Sequence, residues 1–175
     1  GGGDLSVRGN VSVDGAFSSS VAGGTATYGS VTTSGADQSY QGATVVRGDI
    51  SARDIRFADA ADLRGVVSGR NMNFDGNTTI GANLSGQDLH FNGPLTVTNE
   101  VVLRSSSNIF DFNDEVSSDS GVTLSIVPTA NTDMFVDLED GAGHVAADRF
   151  ENFKGTLTIG GQFTPAPDGD VLNGS

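Results

Sequence analysis

The feature that most constrains this chain is a 17-residue internal repeat. Residues 48–64, 65–81 and 82–98 read GDISARDIRFADAADLR, GVVSGRNMNFDGNTTIG and ANLSGQDLHFNGPLTVT, and they align column by column without a gap. Residues 31–47, VTTSGADQSYQGATVVR, fit the same frame. The chain therefore contains four tandem units, and one column is aromatic in all of them: Tyr40, Phe57, Phe74 and Phe91.

The length of the unit selects a β-solenoid. Units this short cannot bury their own apolar face and must stack on their neighbours. Helical repeats need about 33 to 47 residues, and leucine-rich repeats about 20 to 29. Apolar side chains two residues apart, such as Met72 and Phe74, follow the period of a strand. We therefore predict an all-β fold of 17-residue coils, with strands near 48–51, 54–57 and 60–64 stacked in parallel and the aromatic column as an internal ladder.

Turn-forming residues stand between the predicted strands. Two residues after the aromatic column come types that tolerate positive φ: Gly42, Asp59, Gly76 and Gly93. Three residues before it come types that bond to nearby backbone: Asp37, Asp54, Asn71 and Asp88. A third column consists of serines, whose hydroxyls we predict to form hydrogen bonds with backbone groups at a corner: Ser34, Ser51, Ser68 and Ser85. We interpret all three columns as structural corners.

The repeat divides the chain into four segments. Residues 1–30 alternate as strands do but in an irregular register, 31–98 form four regular turns, 99–161 form less regular turns with longer loops, and 162–175 read as a turn or linker. Val101 lies one full period after Leu84, but Phe112 comes four residues late, which predicts a longer corner within 99–116.

Later strands are predicted from local patterns. Segments 121–127 and 133–138 are strand candidates. FKGTLTIGG, residues 153–161, matches FNGPLTVT, which predicts Phe153 in the column of Phe91 and Leu157 in the column of Leu95.

Charge and composition exclude several classes of partner. The chain has 9 basic and 22 acidic residues among 175, for a formal net charge of -13. Nucleic acids and anionic membrane surfaces both require a basic footprint, so we expect neither as a partner, and no apolar run is long enough for membrane insertion. The absence of cysteine excludes disulfides and thiolate metal sites.

Some of these segments resemble a known group of bacterial surface proteins. SVTTSGADQSYQGATVVRGD and FKGTLTIGG are similar to repeats of filamentous haemagglutinin-like adhesins, over about residues 29–161. The resemblance implies a right-handed parallel β-helix, extracellular or on the bacterial cell surface, exported by two-partner secretion or autotransport. Members of this type are not enzymes along the stalk. No binding residue carries over, because the shared motif is structural.

Candidate chemical groups are few. DFNDEVSSDSG, residues 111–121, places carboxylates in a predicted projecting loop that is a candidate Ca²⁺ site without the EF-hand spacing: Asp111, Asp114, Glu115 and Asp119. No other cofactor or metal is expected. His90 is predicted to face solvent in the column of Ser39, Arg56 and Asn73, and His144 to lie in a loop.

Two classes of function follow from these observations. The first is a non-enzymatic stalk module of a secreted or surface adhesin, with flanking repeats, copies of itself, or a host or cell-surface glycan or protein as partners. Within that class, a self-assembling filament subunit is an alternative, which would stack end to end or pass a terminal strand, residues 4–13, to a neighbour. The second class is a β-helical polysaccharide-active enzyme, whose carboxylates would come from the column of Asp37, Asp54 and Asp88 or from the acidic segment 111–121.

Overall fold

The structure is a computed structural model that describes residues 3–128 and 147–159. It contains nineteen strands and one 3-10 turn in these ranges. None of the described residues forms a helix that is long and apolar enough to cross a membrane. The strands are β1 Leu5–Val7, β2 Val11–Val13, β3 Phe17–Ser19, β4 Ala26–Tyr28, β5 Val31–Thr33, β6 Gln38–Tyr40, β7 Thr44–Val46, β8 Ile50–Ser51, β9 Asp54–Phe57, β10 Ala61–Leu63, β11 Val67–Ser68, β12 Asn71–Phe74, β13 Thr78–Ile80, β14 Leu84–Phe91, β15 Leu95–Val97, β16 Val101–Phe112, β17 Val116–Ser118, β18 Thr123–Pro128 and β19 Thr156–Ile159; the 3-10 turn is Ala147–Phe150.

The strands form three parallel stacks, which define three faces of a β-solenoid. Face A stacks β1, β4, β7, β10, β13, β15 and β17. Face B stacks β2, β5, β8, β11, the first parts of β14 and β16, then β18 and β19. Face C stacks β3, β6, β9, β12 and the second parts of β14 and β16. The predicted solenoid with three strands per coil is confirmed, whereas its right-handed sense stays a prediction from the resemblance.

The central coils follow the period of the sequence repeat. Asn71 pairs with Asp54 on one side and with Asp88 on the other, and Thr78 pairs with Ala61 and Leu95, so each partner lies one repeat length away. Alternate side chains point inward, as in β12, where Met72 and Phe74 are fully buried. The same residue type therefore meets the same environment in each coil, which is why the sequence repeats.

The aromatic column forms a continuous stack inside the coil. Tyr40, Phe57, Phe74 and Phe91 stack nearly parallel, with ring centroids 4.5, 5.6 and 4.8 Å apart. Phe112 extends the stack at 5.3 Å from Phe91. Burial of each ring stabilises the fold by about 1.5 to 3 kcal/mol, and ring-to-ring contact adds about 0.5 to 1.5 kcal/mol. The predicted ladder is thus present and is one ring longer.

The register departs from the repeat length at both ends of the repeat region. Val31 pairs with Ile50, so Thr32, and not Ser34, lies opposite Ser51. Leu84 pairs with Leu103, two residues beyond the repeat length, so the prediction that Val101 lies in the column of Leu84 is wrong. Both predicted registers are displaced by two residues, because a strand can shift by two positions without turning its buried side chains outward.

The late position of Phe112 has two separate causes. Two extra residues lie in the corner before Leu103, and two more enter β16 at an irregularity opposite Gly86 and Asp88. At that irregularity the hydroxyls of Ser105 and Ser107 both donate to the Gln87 carbonyl. The predicted longer corner therefore accounts for half of the shift, and an insertion within a strand for the other half.

The final described strand lies on a different face from the predicted one. Thr123–Pro128 confirms the strand candidate at 121–127, whereas 133–138 and 162–175 lie outside the described residues. β19 pairs with β18, so Leu157 follows Leu124 on face B and not Leu95 on face A. Phe153 bridges to Ser118 on face A, so its predicted place in the column of Phe91 is also wrong.

The corner glycines serve close backbone approach. Positive φ occurs among the described glycines at Gly23, Gly35 and Gly121, and not in the predicted column of Gly42, Gly76 and Gly93. A Cβ atom on Gly93 would lie 2.8 Å from the Gly76 carbonyl carbon and oxygen of the coil below. The predicted corner is correct. At Gly93 a side chain is excluded by stacking distance and not by φ, whereas Asp59 in the same column carries one.

Candidate functional site

Polar side chains line the outside of face C. The outward-facing row there has one residue per coil: Ser18, Ser39, Arg56, Asn73, His90 and Asp111. The prediction that His90 shares the column of Ser39, Arg56 and Asn73 is confirmed. We call this row, together with the neighbouring corner residues Asp75, Asn92 and Asn113, the face C ladder.

Hydrogen bonds connect the face C ladder along the solenoid axis. Arg56 Nε donates to Asp75 Oδ2 at 2.8 Å, Asn92 Nδ2 donates to Asp75 Oδ1 at 2.9 Å, and Asn113 Nδ2 donates to Asn92 Oδ1 at 2.9 Å. The hydrogen bond from Asn92, followed by that from Arg56 and its positive charge, holds the pKa of Asp75 below its ordinary value. These contacts link four successive coils through side chains.

His90 and Asp111 form the one imidazole–carboxylate pair of the ladder. His90 Nδ1 lies 2.5 Å from Asp111 Oδ2, and Asp111 is almost fully buried while His90 is about a quarter exposed. When Nδ1 carries the proton and donates to the carboxylate, Nε2 is left as a proton acceptor. The pair therefore gives face C an imidazole that can take part in acid–base chemistry.

The predicted calcium loop is distributed over three places. Asp111 lies within β16 and not in a projecting loop, because the strand runs to Phe112. Asp114 and Glu115 occupy the corner before β17, and Asp119 follows that strand. Within residues 3–128 and 147–159, no three acidic or histidine side chains come together as metal ligands. His144 lies outside the described residues.

Two of the predicted turn carboxylates, Asp37 and Asp54, lie at the corner between faces B and C and bind arginines, whereas Asp88 accepts from the Ser107 hydroxyl. Arg53 donates to both carboxylate oxygens of Asp37 at 2.8 Å, and Arg70 contacts both oxygens of Asp54 at 3.1 and 2.7 Å. The hydrogen bonds and positive charge of Arg53 lower the pKa of Asp37. Each arginine follows its aspartate by one residue less than a full repeat, so each pair bridges consecutive coils.

The serine column faces a shallow groove beside these ion pairs. Ser51, Ser68 and Ser85 are exposed, and their hydroxyls make no hydrogen bond with the part of the chain that the structure describes. The prediction that they satisfy backbone groups is therefore wrong for these three residues. Gly69 and Gly86 form part of the groove floor.

A second set of polar contacts lies at the corner between faces A and B. Ser30 Oγ accepts from Asp49 N at 3.0 Å, Asp49 Oδ1 accepts from Val66 N at 2.9 Å, and Asn83 Oδ1 accepts from Val102 N at 2.8 Å. One side chain per coil thus caps the backbone of the next coil. Val66 interrupts this series with an exposed apolar side chain.

Together, the fold and these surfaces define a parallel β-solenoid held by an internal aromatic stack and by polar side chains that join consecutive coils. No protein-family model, no curated protein and no solved structure matches the chain. The resemblance to filamentous haemagglutinin-like repeats therefore stays a prediction.

Proposed function

We propose that this chain is a structural stalk module of a secreted or surface-exposed bacterial adhesin, without enzymatic activity. The observation that carries the proposal is the unbroken stack of parallel rings from Tyr40 to Phe112, enclosed by three parallel strand ladders. Each coil buries its apolar side chains against those of the next coil, so the packed core is continuous along the solenoid axis. Such a body is suited to hold a binding region away from a surface.

The outer side chains support the same function. The ion pairs of Arg53 and Arg70 and the hydrogen bonds of the face C ladder all join one coil to the next. Exposed ion pairs contribute only about 0 to 1 kcal/mol each, so they add to a stability that comes mainly from the buried stack. The net charge of -13 additionally disfavours lateral aggregation.

A filament subunit is the second candidate, and one observation favours it. In residues 3–128 and 147–159, the first coil of β1, β2 and β3 has a paired strand on one side only. Such an edge can accept a strand from another copy. Transfer of residues 4–13 to a neighbour, however, requires β1 and β2 to leave their pairing with β4 and β5.

Small-angle X-ray scattering, electron microscopy and an activity screen distinguish the candidates. A stalk module gives monodisperse rods at all concentrations and no turnover of acidic or neutral polysaccharides. A filament subunit gives fibres whose length rises with concentration. Turnover that is lost in Asp111→Asn, with the fold retained, would overturn the stalk proposal in favour of an enzyme that uses the His90–Asp111 pair.

A further inference from the structure

Positive charge is concentrated along one corner of this acidic molecule. Val7 pairs with Tyr28, Tyr28 with Val46, and Val46 with Leu63. The residues that follow these four therefore form a row at the corner between faces A and B, one per coil: Arg8, Gly29, Arg47 and Arg64. Three of the 9 basic residues of the chain thus occupy a single edge.

Two arginines of this row differ from most others in the molecule. Arg53, Arg56, Arg64 and Arg70 each bind an aspartate at 2.6 to 2.8 Å. Arg8 and Arg47 are exposed and form no ion pair or side-chain hydrogen bond within residues 3–128 and 147–159. Each guanidinium therefore keeps its full set of donors for an external acceptor.

Gly29 opens a notch between these two arginines. The notch has a volume of about 530 Å³ and is lined on the face A side by Ser6 and Thr27. A Cβ atom at position 29 would lie 2.7 Å from the Gly9 carbonyl oxygen, so the fold keeps this position free of a side chain. The notch is thus a consequence of coil stacking, with a cation on either side.

The donors of the notch come from side chains. The backbone N–H of Gly29 donates to the Val7 carbonyl, and that of Arg47 to the Tyr28 carbonyl, each at 3.0 Å. The available groups are therefore the two guanidinium forks and the hydroxyls of Ser6 and Thr27.

The carboxylates of nearby corner residues bind other groups. Asp62 is in an ion pair with Arg64 at 2.6 Å, and Asp49 and Asp4 accept from backbone N–H groups, those of Val66 and Thr25. Within residues 3–128 and 147–159, neither of the two arginines that line the notch has a carboxylate as an ion-pair partner.

We propose that Arg8 and Arg47 bind a tetrahedral oxyanion, the phosphate or sulfate group of an ester, in this notch. The arginines lie two coils apart, which corresponds to about 9.6 Å along the axis. A tetrahedral oxyanion offers three or four acceptor oxygens and can receive one fork from each side, whereas a carboxylate has two oxygens that a single fork occupies. The hydroxyls of Ser6 and Thr27 supply further donors.

Arginine-detected NMR tests this site directly. The Nε–Hε signals are followed while methyl phosphate, methyl sulfate or chloride is added to the full chain at constant ionic strength. The signals of Arg8 and Arg47 should shift together and saturate with at least one of the two esters, and the ester that saturates at the lower concentration identifies the anion. Chloride should give no saturable shift.

Variants of matched charge complete the experiment. Arg47→Gln and Arg8→Gln should each weaken ester binding about tenfold, because each removes one charge-assisted fork. Arg104→Gln removes another exposed arginine, which lies on face B and forms no ion pair within residues 3–128 and 147–159, and it should leave ester binding unchanged. Equal weakening in Arg104→Gln, or shifts that stay linear with concentration, would overturn the proposal, since either shows only general screening of charge.

Discussion

The central coils and the first coils of this molecule are built by different rules. Between Gln38 and Val97 every coil has the length of the sequence repeat, and the inward positions are almost all apolar or aromatic. Between Leu5 and Tyr40 the paired strands lie three or four residues further apart in sequence, and polar side chains such as Ser19 enter the core. Coils with a strict sequence period stack on one another with the same buried residues. Where the period is lost, the buried polar side chains of each coil need their own hydrogen-bond partners.

The boundary between the two regions lies at Gln38 and Tyr40. Gln38 occupies the column of Ile55, and its Nε2 donates to the carbonyls of Val31 and Ser51 at 3.2 and 3.0 Å. Tyr40 begins the ring stack and donates its hydroxyl to Gln38 Oε1 at 2.8 Å. Burial, followed by the nearby Tyr28, raises the pKa of Tyr40, so this hydroxyl keeps its proton.

The largest expected effect comes from a charge inside the central stack. Phe74→Asp removes a ring stacked at 5.6 and 4.8 Å from its neighbours and leaves a carboxylate without a partner. We expect a loss of about 5 kcal/mol or more in the free energy of unfolding, measured by urea denaturation. Asn73→Asp, one residue away and facing outward, is the control and should change stability by less than about 0.5 kcal/mol. Equal losses would contradict the assignment of inward and outward positions.

A smaller effect is expected at the boundary. Gln38→Leu keeps a similar volume but leaves the Tyr40 hydroxyl and two carbonyl groups without their partner. The free energy of unfolding should fall by about 1 to 3 kcal/mol. The double variant Gln38→Leu with Tyr40→Phe should recover part of this loss, because it also removes the buried hydroxyl that has lost its acceptor. A stabilised Gln38→Leu would show that the polar boundary is not required.

A gain in stability is expected at the interrupted corner. Val66→Asp places a carboxylate where Ser30, Asp49 and Asn83 each cap the next coil. The new acceptor faces the backbone N–H of Asn83, and the free energy of unfolding should rise by about 0.5 to 1.5 kcal/mol. Val66→Ala is the control for loss of the exposed side chain. A gain of the same size in Val66→Ala would attribute the effect to the lost valine instead of the cap.

The smallest effect concerns pH and the face C ladder. The pKa of Asp75 is lowered in the folded state, so its contribution to stability is present above the unfolded value near 4 and is lost as the pH falls through the folded value. The urea midpoint should therefore fall less between pH 6 and pH 2 in Asp75→Asn than in the unchanged chain. Parallel pH profiles would show that the ladder does not depend on this carboxylate.

The interior of the fold was predictable from the sequence because the interior repeats. Phe57, Phe74 and Phe91 meet the same packing demand in each coil, so the aromatic column and the strand period appear directly in the residue pattern. The two-residue slip at Leu84 and Leu103 was not predictable, since a shift of two keeps the same side chains buried.

The surface contacts were harder to predict. Arg53 and Arg70 follow their aspartates by one residue less than the repeat. Each arginine therefore stands in the column next to that of its aspartate, and the alignment does not pair them. The aspartate opposite His90 could have been located from the late position of Phe112, because Asp111 precedes that ring as His90 precedes Phe91. The notch at Gly29 lies where the period is lost, and there the alignment gives no neighbours at all.

Distances between spin labels along the face C row measure the stacking of successive coils. The chain has no cysteine, so single pairs can be introduced at Ser18 combined with Arg56, Asn73 or His90 and measured by double electron–electron resonance. A stiff stack of coils should give narrow distributions whose means increase by about 4.8 Å with each added coil. Means that do not increase from Arg56 to His90, or broad overlapping distributions, would contradict a stiff stack of coils.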